Sequence, residues 1–467
     1  MDLKYLIGLD IGTSSVKGVL VREDGSEMKT GKAGFAYTRG EDGGVEIGAQ
    51  AYMAACCSLL KRLAEAVPEG GTLGGLSAAS ASGNLLLLDE NGQPSTPIFN
   101  WQDGRVNEEA REVLGGLDAE ALYERTGWPF DFKTFPLAML CWIKRRRPEL
   151  LERCSKVCMS TEYLYYRLTG RWGISTSAGS PFYLIDQQSG TYIRELLDVF
   201  GLREEQLPRI GRAGDIVGTV TAAGAAESGI PAGTPVVLGT FDHPSAARGA
   251  GVLEEGQMLL SCGTSWVGFF PLRERRKAVA ARMIVDPFLE PVGCWGGMVS
   301  VPSISDRING MIRRYIDDSD DRFEVFAAEA AKSGLGAGGL AIRLLEEPDD
   351  EEIRRFPKRH IARAIMEGTV SLLAEKLGGL REKGIAARSA VMVGGPSESP
   401  LWTRVIEEMT GLSVRVMDGP GAFAGALGAA MMAGIAAGLY RDEAGAFAAL
   451  RSNQGGKADV SAAYDRV

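Results

Sequence analysis

The stretch YLIGLDIGTSSVKGVLV, residues 5–21, decides the fold. Two runs of mainly aliphatic residues, 5–9 and 16–21, enclose the short polar segment 12–15. This pattern predicts a strand, a tight turn and a second strand. A further turn signal, EDGS at 23–26, predicts a third strand after it. The chain is therefore expected to begin with three consecutive β-strands.

The first turn carries groups that suit a phosphate. A flexible backbone, hydroxyl groups and consecutive N–H donors come from Gly12, Thr13, Ser14 and Ser15. Asp10 ends the first strand, where a carboxylate can hold Mg²⁺ through water. Lys17 adds a mobile cation for a phosphoryl group. Taken alone, the stretch is equally compatible with an ordinary hairpin that has a Thr/Ser turn.

Length and composition limit the class of protein. A chain of 467 residues is expected to form more than one domain, and 24% charged residues is ordinary for a soluble globular protein. A net charge of −9 argues against nucleic acid or an anionic membrane as the main partner. The seven cysteines form no CxxC pair, which favours reduced core thiols in a cytosolic protein. The segment MDLKYLIGLD lacks a long apolar run, so no signal peptide is predicted.

The second half of the chain repeats the opening pattern. LLSCGTSWVGFF at 259–270 again predicts strand, small-residue turn and strand, as a duplicated fold would. A helix is predicted over 49–66, and a long amphipathic helix over 359–383 followed by a strand at 389–395. We place the boundary between the two halves near 239–251.

The segment 421–440 needs its own interpretation. Its twenty residues carry no charge and have GxxxG spacing, so it formally qualifies as a transmembrane candidate. Most of these residues are Gly or Ala, which supply little transfer free energy. The segment is therefore predicted to be a small-residue helix packed inside a soluble protein.

Several further motifs follow the hairpin in a fixed order. They are DIGTSSVKG (10–18), WQDGR (101–105), STEYLYYRLTG (160–170), STSAGSPFYLID (175–186), GTFDHPSAARGAG (239–251), SCGTS (261–265), and GGPSESPLW (394–402) with GALGAA (425–430). In this combination the sequence resembles the FGGY family of carbohydrate kinases, which includes xylulokinase, gluconokinase and glycerol kinase. The resemblance covers nearly the whole chain.

The resemblance implies a fold class and a domain division. The expected fold is α/β, with two actin-like ATPase (ribonuclease H-like) domains flanking a nucleotide cleft. The N-terminal domain, 1–247, is expected to carry the sugar site and the phosphate hairpin. The C-terminal domain, 248–467, is expected to bind the nucleotide.

The nucleotide site is expected to use hairpin turns, because the chain has no GxxxxGK[ST] sequence. By resemblance, the first turn and Lys17 face the β- and γ-phosphates of ATP. The matching loop of the second domain consists of Gly263, Thr264 and Ser265. The adenosine is expected against Gly394, Gly395 and, on the following helix, Ser399. Considered alone, GGPSESP is also compatible with a plain strand-to-helix loop.

Asp242 in GTFDHPSAARGAG matches the general base of the family. Phosphoryl transfer to an alcohol requires an in-line hydroxyl, charge neutralisation and a proton acceptor. The resemblance also makes Asp242, with Asp10, a ligand of Mg²⁺. The alternative is that Asp242 is only a helix N-cap. The neighbouring His243 is expected either to contact substrate or to fill the domain junction.

The WQDGR segment is expected to face the sugar. Asp103 can accept paired hydroxyl hydrogen bonds, Arg105 can orient Asp103, and Trp101 offers a ring face for C–H groups. The alternative is a solvated loop.

Two departures from the family concern the substrate. Where xylulokinases have Met-His-Gly against the ketose, this chain has Ser82, Gly83 and Asn84, so Ser82 and Asn84 are the candidate contacts. The short segment 339–359 lacks a PYLxGERxP-like sequence. Both differences affect the sugar side and leave the nucleotide side intact.

The resemblance therefore predicts a cytoplasmic kinase that uses ATP and Mg²⁺ to phosphorylate a terminal hydroxyl of a small carbohydrate. A xylulose-like ketose is the nearest substrate by resemblance. Another polyol, sugar acid, six-carbon or branched sugar is the first alternative, and a catalytically weak sugar-sensing ATP-binding regulator is the second. The expected partners are the carbohydrate and ATP, with no nucleic acid and no membrane, and a homodimer is left open.

Overall fold

The computed structural model describes residues 3–130, 135–417 and 421–451. Its internal contacts divide the chain into two compact units. Unit 1 comprises Met1–Leu253, Val285–Pro291 and Phe423–Val467. Unit 2 comprises Glu254–Ile284 and Val292–Ala422. The predicted domain boundary between residues 247 and 248 stays a prediction.

The secondary structure is mixed throughout. The strands are β1 (Leu3–Ile11), β2 (Ser15–Arg22), β3 (Met28–Gly34), β4 (Tyr37–Arg39), β5 (Val45–Ile47), β6 (Gly71–Ser80), β7 (Leu86–Leu88), β8 (Ile98–Phe99), β9 (Lys156–Cys158), β10 (Gly173–Ser175), β11 (Ile185–Asp186), β12 (Thr191–Tyr192), β13 (Arg209–Gly211), β14 (Ile216–Thr219), β15 (Pro235–Val237), β16 (Gln257–Cys262), β17 (Trp266–Leu272), β18 (Ile284–Asp286), β19 (Trp295–Val301), β20 (Ser389–Gly394) and β21 (Ser413–Val416). The helices are α1 (Ala49–Glu65), α2 (Asn107–Leu114), α3 (Ala119–Thr126), α4 (Phe135–Arg146), α5 (Pro148–Arg153), α6 (Ser160–Thr169), α7 (Thr176–Gly179), α8 (Arg194–Phe200), α9 (Ala222–Ser228), α10 (Asp242–Gly249), α11 (Arg275–Ala280), α12 (Ile304–Tyr315), α13 (Arg322–Ala330), α14 (Asp350–Arg354), α15 (Lys358–Glu382), α16 (Pro400–Thr410), α17 (Ala424–Ala436) and α18 (Glu443–Arg451).

The main sheet of unit 1 has the strand order β14-β15-β6-β1-β2-β3. The first three strands form the predicted antiparallel meander, with Asp10 opposite Lys17 across β1 and β2. Strand β6 then pairs with β1, and β15 pairs with β6, both in parallel. Helix α1, which begins at residue 49 as predicted, buries its apolar face against this sheet.

Unit 2 repeats this arrangement of strands. Its main sheet contains the run β19-β17-β16-β20-β21. Strands β16, β17 and β19 are antiparallel neighbours, whereas β20 and β21 add to β16 in parallel. The antiparallel hairpin and the parallel additions thus occur in the same relation to the central strand as in unit 1. The predicted repetition of the opening pattern is confirmed.

Helix α17 is the interior helix predicted within residues 421–440. It belongs to unit 1, and most of its residues are buried. Its backbone approaches its neighbours so closely that a Cβ on Gly8 of β1 would lie 1.8 Å from the Ala426 carbonyl oxygen. A Cβ on Gly428 would lie 1.9 Å from the Ser245 carbonyl oxygen on α10. Within the described residues, no helix combines the length and the apolar character needed to cross a membrane.

A second feature of the core is a buried carboxylate, Glu162, on α6. Its Oε2 accepts a hydrogen bond of 2.8 Å from the Met159 backbone N–H, while Oε1 has no hydrogen-bond partner in the structure. Burial raises the pKa of Glu162 to about 7, although the hydrogen bond from Met159 opposes this shift. The core therefore favours the protonated form of this side chain.

We predict that Gly428→Ala destabilises the protein, although alanine is the better helix former. Replacing an interior helical glycine normally gains about 0.5–1 kcal/mol. At Gly428 the new methyl would collide with backbone, and overpacking of this kind typically costs about 1–3 kcal/mol. The control is Gly378→Ala in α15, where a Cβ meets nothing within 4 Å. In denaturant unfolding, the free energy of unfolding should be highest for Gly378→Ala, intermediate for wild type and lowest for Gly428→Ala. A lower value for Gly378→Ala than for Gly428→Ala would contradict this packing.

We also predict that Glu162 contributes to the pH dependence of stability. Its pKa is about 7 in the folded protein, above the ordinary value of 4.5. Between these values the folded state binds more protons than the unfolded state, so the free energy of unfolding falls as pH rises. Glu162→Gln removes this titration, and its unfolding free energy should fall less than that of wild type from pH 4.5 to 7. Parallel curves for the two proteins would contradict the raised pKa.

Candidate active site

Three parallel strands of unit 1 bring the first predicted site residues to one edge of the sheet. At the carboxyl ends of β1 and β6, Ile11 lies opposite Ser80, and Ser80 forms a parallel bridge with Phe241 beyond β15. Because the carboxyl ends of neighbouring parallel strands lie at the same edge, the residues that follow them converge. Asp10 and Asp242 are thus brought to the same edge.

Asp10 and Asp242 interact electrostatically. Burial raises the pKa of Asp10 to about 7, and the negative charge of Asp242 acts in the same direction. Lys17, opposite Asp10 across the hairpin, partly counteracts this rise in pKa. Two carboxylates in this relation favour a positively charged ligand, because a cation relieves their repulsion.

The pair fits the ligand chemistry of Mg²⁺. Proteins hold this ion through one or two carboxylates, with water and phosphate oxygens completing the octahedron. Across residues 3–130, 135–417 and 421–451, no group of three or more His, Cys, Asp or Glu side chains is placed to hold a metal. Water and nucleotide oxygens would therefore have to supply the other ligands of an ion at Asp10 and Asp242.

The hairpin turn next to Asp10 is stabilised by its own backbone. The Gly12 N–H donates to the Ser15 carbonyl at 2.9 Å, and the Ser14 carbonyl accepts from Phe35 at 3.1 Å. Ser15 is already the first residue of β2, and Ser14 is exposed. This leaves a short loop of small residues at the sheet edge, as a phosphate-binding turn requires.

Asp242 is the first residue of α10 rather than its cap. The N-cap position belongs to Phe241, which makes no side-chain capping bond. The Asp242 Oδ1 accepts a bond of 2.7 Å from the His243 N–H, the next residue in the chain. The N-cap alternative is therefore wrong. The half-buried His243 ring packs edge-on against Phe241, with ring centroids 5.7 Å apart.

The WQDGR loop is held by the ion pair between the buried Asp103 and the half-buried Arg105. Asp103 is buried, and its Oδ2 accepts bonds of 2.9 Å from the Val45 N–H and 2.7 Å from Arg105 Nη2. Its Oδ1 accepts from the Arg105 backbone at 3.1 Å and from Arg105 Nε at 3.0 Å. Arg105 also reaches Glu46 and stacks over the Trp142 ring at 4.8 Å. Arg105 thus fixes Asp103, while sugar binding by Asp103 stays a prediction.

Trp101 connects this loop to the phosphate hairpin. Its indole Nε1 donates a hydrogen bond of 3.1 Å to the Thr13 hydroxyl. The ring is otherwise substantially exposed. The WQDGR loop and the hairpin are therefore neighbours within unit 1, although they are distant in sequence.

The loop after β6 is anchored on the start of α6. Ser82 is buried, and its hydroxyl donates to the Ser80 carbonyl at 3.3 Å. The Asn84 side-chain amide makes two hydrogen bonds to Ser160. Its Oδ1 accepts from the Ser160 N–H at 2.7 Å, and its Nδ2 donates to the Ser160 hydroxyl at 3.0 Å. The Gly83 N–H approaches the Met159 sulphur at 3.3 Å. Hydrogen bonds within the protein thus fix the two predicted substrate residues, Ser82 and Asn84.

A small cavity lies between these two loops. It is partly open, and its cavity volume is only about 10 Å³, enough for about one water molecule. Its lining consists of Gly83, Leu85, Phe99, Asn100, Trp101, Asp103, Val106, Pro136 and Met139. Polar and apolar groups both face it, so the two loops meet here around a small mixed pocket.

The predicted nucleotide loops of unit 2 lie side by side. Cys262 at the end of β16 is opposite Gly394 at the end of β20. The loop from Gly263 to Ser265 is braced by the start of α12: the Ser305 hydroxyl donates to the Gly263 carbonyl at 2.6 Å, and the Ser303 N–H donates to the Ser265 hydroxyl at 3.2 Å. Thr264 at the centre of the loop is exposed.

Gly394 and Gly395 present bare backbone beside this loop. Gly394 has a φ of +99°, and a Cβ there would lie 2.4 Å from the Cys262 carbonyl oxygen. Gly395 is exposed, and a Cβ there would meet nothing within 4 Å. Ser399 directly precedes α16 and makes no capping bond. The position of Gly394 requires glycine, and Gly395 leaves space for a flat ligand against the backbone.

Sequence reasoning missed the residues that support these loops. Ser160 and Met159 anchor the loop after β6, and Ser177 contacts the Phe241 backbone. Ser160 and Ser177 lie inside motifs that the sequence singled out, STEYLYYRLTG and STSAGSPFYLID, but neither received a role. A serine stands near the start of each motif, and this was the sequence feature from which a supporting role could have been predicted.

Known proteins with similar sequences and structures are kinases. The autoinducer-2 kinase of Klebsiella pneumoniae is 26% identical over 481 residues, which cover 95% of this chain and 87% of that protein. The crystal structure of xylulose kinase from Rhodospirillum rubrum matches with a TM-score of 0.84 at 24% identity, covering 95% of this chain and 92% of that one. Plasmodium falciparum glycerol kinase with ADP matches with a TM-score of 0.84 at 15% identity, covering 96% and 92%. These likenesses confirm the predicted α/β fold class with two actin-like domains.

Family models account for nearly all of the chain. The N-terminal domain model of the FGGY family of carbohydrate kinases matches residues 5–249. The C-terminal domain model of the same family matches residues 216–437. The chain therefore belongs to the FGGY family of carbohydrate kinases and is an ATP-dependent phosphotransferase.

Proposed function

We propose that this kinase transfers the γ-phosphate of ATP to a terminal hydroxyl of a small carbohydrate, with Asp242 as general base. The observation that carries the proposal is the pairing of Asp10 and Asp242 at one sheet edge, where the charge of Asp242 helps to raise the pKa of Asp10. A neutral hydroxyl must lose its proton as the new P–O bond forms, and a nearby carboxylate can accept it. Asp242 is half-buried at the start of α10, so its carboxylate is both held and accessible.

We assign Asp10 to the metal side of the same site. Mg²⁺, when bound, neutralises charge on the transferring phosphoryl group. Asp10 would hold the ion, directly or through water, together with Asp242. Lys17 offers a further cation to the phosphoryl oxygens, and the turn from Gly12 to Ser15 offers backbone N–H groups. In this scheme the hairpin binds and orients the phosphates while Asp242 accepts the proton.

For the nucleotide we propose the two neighbouring loops of unit 2. Thr264 is exposed at the centre of one loop, and Gly263 and Ser265 hold the loop to α12. Gly394, Gly395 and Ser399 would contact the adenosine. We propose that these loops belong to a C-terminal domain of residues 248–467, and the hairpin and sugar loops to an N-terminal domain of residues 1–247. Cytoplasmic location, the absence of nucleic-acid and membrane partners, and a homodimer stay predictions.

For the carbohydrate we propose a substrate other than D-xylulose. Ser82 and Gly83 stand where xylulokinases have the bulkier Met and His, and Asn84 stands where they have Gly, so the wall of the sugar site differs in shape. The similar proteins named above act on different compounds: autoinducer-2, xylulose and glycerol. Autoinducer-2 is therefore a candidate beside other sugars and polyols.

A substrate panel tests the proposed substrate class. We expect ADP release from ATP in the presence of a small carbohydrate, with the highest kcat/KM for a compound other than D-xylulose. The panel should contain D-xylulose, gluconate, glycerol, autoinducer-2 and a range of aldoses and ketoses. A clear preference for D-xylulose would contradict the inference from Ser82 and Asn84. ATP binding without sugar-dependent ADP release would favour the regulator alternative.

Asp242→Asn tests the proposed base. Asparagine keeps the size of aspartate and one acceptor oxygen, but it cannot take up a proton at neutral pH. We expect kcat for the best panel substrate to fall by about 10²–10⁴-fold, the usual contribution of general-base catalysis. ATP affinity, measured by calorimetry in the absence of Mg²⁺, should change little, because the proposed adenosine contacts lie in unit 2.

Asp215→Asn is the matched control for this substitution. Asp215 is an exposed loop carboxylate of the same unit, and it accepts a bond of 2.8 Å from the Arg212 N–H. Its kcat should equal that of wild type. If Asp242→Asn also keeps wild-type kcat, Asp242 is not the base.

A further inference from the structure

The STSAG turn, residues 175–179, contacts the site through more than the Ser177 bond described above. Its two outer hydroxyl groups both touch the segment that leads to Asp242. The Ser175 hydroxyl donates to the Gly239 carbonyl at 2.6 Å, and the Ser177 hydroxyl accepts from the Phe241 N–H at 3.2 Å. Both serines are buried. The turn therefore holds the backbone immediately before Asp242 at two points.

The orientation of the Ser177 hydroxyl is set by a buried aspartate. Its O–H donates to Asp286 Oδ2 at 2.7 Å. A serine hydroxyl has one proton, so a bond to Asp286 leaves only lone pairs for the Phe241 N–H. Asp286 is fully buried, and its Oδ1 has no hydrogen-bond partner in the structure. The three groups form a chain from Asp286 through Ser177 to the residue before Asp242.

The segment that carries Asp286 is itself tied to helix α10. Arg248, in the last turn of that helix, is buried and donates through Nη2 to the Phe288 carbonyl. Its guanidinium also lies over the Phe288 ring, 4.5 Å from the centroid. Residues 285–291 thus brace α10 at both ends, at Phe241 through Ser177 and at Arg248 through Phe288.

The buried Asp286 carboxyl makes the folded state less stable than a neutral side chain at this position would. Burial raises the pKa of Asp286 to about 7, although Ser177 and Arg248 act against this shift. An ionisable side chain with one unpartnered buried oxygen is unfavourable for folding. Groups of this kind occur preferentially where function constrains the structure.

We propose that Ser177 and Asp286 are positioning residues for Asp242. They fix the position of the Phe241 N–H. Because Asp242 follows Phe241 as the first residue of α10, they also fix the position of the Asp242 carboxylate. This inference rests on the proposed role of Asp242 as general base. Catalysis by a positioned base depends on its distance from the acceptor hydroxyl, and a displacement of about 1 Å can cost about 10²-fold in rate.

The first test compares Ser177→Ala with Ser228→Ala. Ser228 is an equally buried serine of the same unit, and its hydroxyl donates to the Gly224 carbonyl at 2.7 Å and accepts from the Ile230 N–H at 3.2 Å. Ser177→Ala should lower kcat by about 10–10²-fold and leave KM for ATP and sugar within about twofold. Ser228→Ala should keep wild-type kcat with a similar loss in thermal midpoint. Equal loss of kcat in both variants would overturn the proposal.

Two substitutions of Asp286 give a second test, in which the conservative variant should retain the activity that the alanine variant loses. Asp286→Ala leaves the Ser177 hydroxyl without its acceptor and should lower kcat as Ser177→Ala does. Asp286→Asn keeps an acceptor oxygen in the same place and should restore most of the lost kcat. An Asn variant no better than the Ala variant, with both folded by circular dichroism, would overturn the proposal.

A double-mutant cycle separates this inference from the role of Asp242. If Ser177 acts through the base, Ser177→Ala should cause no further loss of kcat in an Asp242→Asn background. Additive losses would mean that Ser177 acts elsewhere. If Asp242→Asn alone keeps wild-type kcat, the base assignment fails. If Asp242→Asn loses kcat while Ser177→Ala does not, only the positioning role fails.

Discussion

The close packing of α17 between β1 and α10 is the constraint on which the site in unit 1 depends. A Cβ on Gly249 of α10 would lie 2.1 Å from the Ala424 carbonyl oxygen, and one on Gly425 would lie 2.7 Å from the Asp10 carboxyl carbon. Only glycine allows backbones to approach this closely. The Ser245 hydroxyl adds a hydrogen bond of 2.7 Å to the Gly425 carbonyl. Because α17 touches both β1 and α10, it sets the distance between the elements that carry Asp10 and Asp242.

The sequence predicts the elements of this arrangement but not their assembly. The hairpin of two apolar runs, the helix predicted over 49–66 and the repeated hairpin of unit 2 follow from local patterns, and the structure contains all three. The small residues of 421–440 correctly indicated an interior helix. They did not indicate that this helix packs on β1, more than four hundred residues earlier in the chain. The local periodicity of a sequence indicates which face of an element is buried, but it does not identify the element that packs against that face.

The sugar side shows the same limit at the level of single side chains. Sequence patterns marked Asp103, Arg105 and Asn84 as polar groups suited to hydroxyl recognition. In the structure Asp103 is saturated by Val45 and Arg105, and Asn84 is engaged by Ser160, so most of their capacity serves the protein itself. These partners are between 2 and 76 positions away in sequence. Of these interactions, only the one between Arg105 and Asp103 was predicted from the sequence, because the two residues lie close together within WQDGR.

This saturation bears on how the enzyme selects its carbohydrate. A buried sugar hydroxyl without a partner costs about 1–3 kcal/mol, so a site must retain some free donors and acceptors. Here Asp103 and the Asn84 carbonyl oxygen make their bonds within the protein. In the proposed sugar site, the second N–H of the Asn84 amide and the exposed Trp101 ring are therefore among the few groups left for a ligand. A site with few free polar groups selects its ligand by shape more than by hydrogen bonds. Under the proposed assignment, the small side chains at Ser82 and Gly83 would thus act on the substrate preference through the shape of the site.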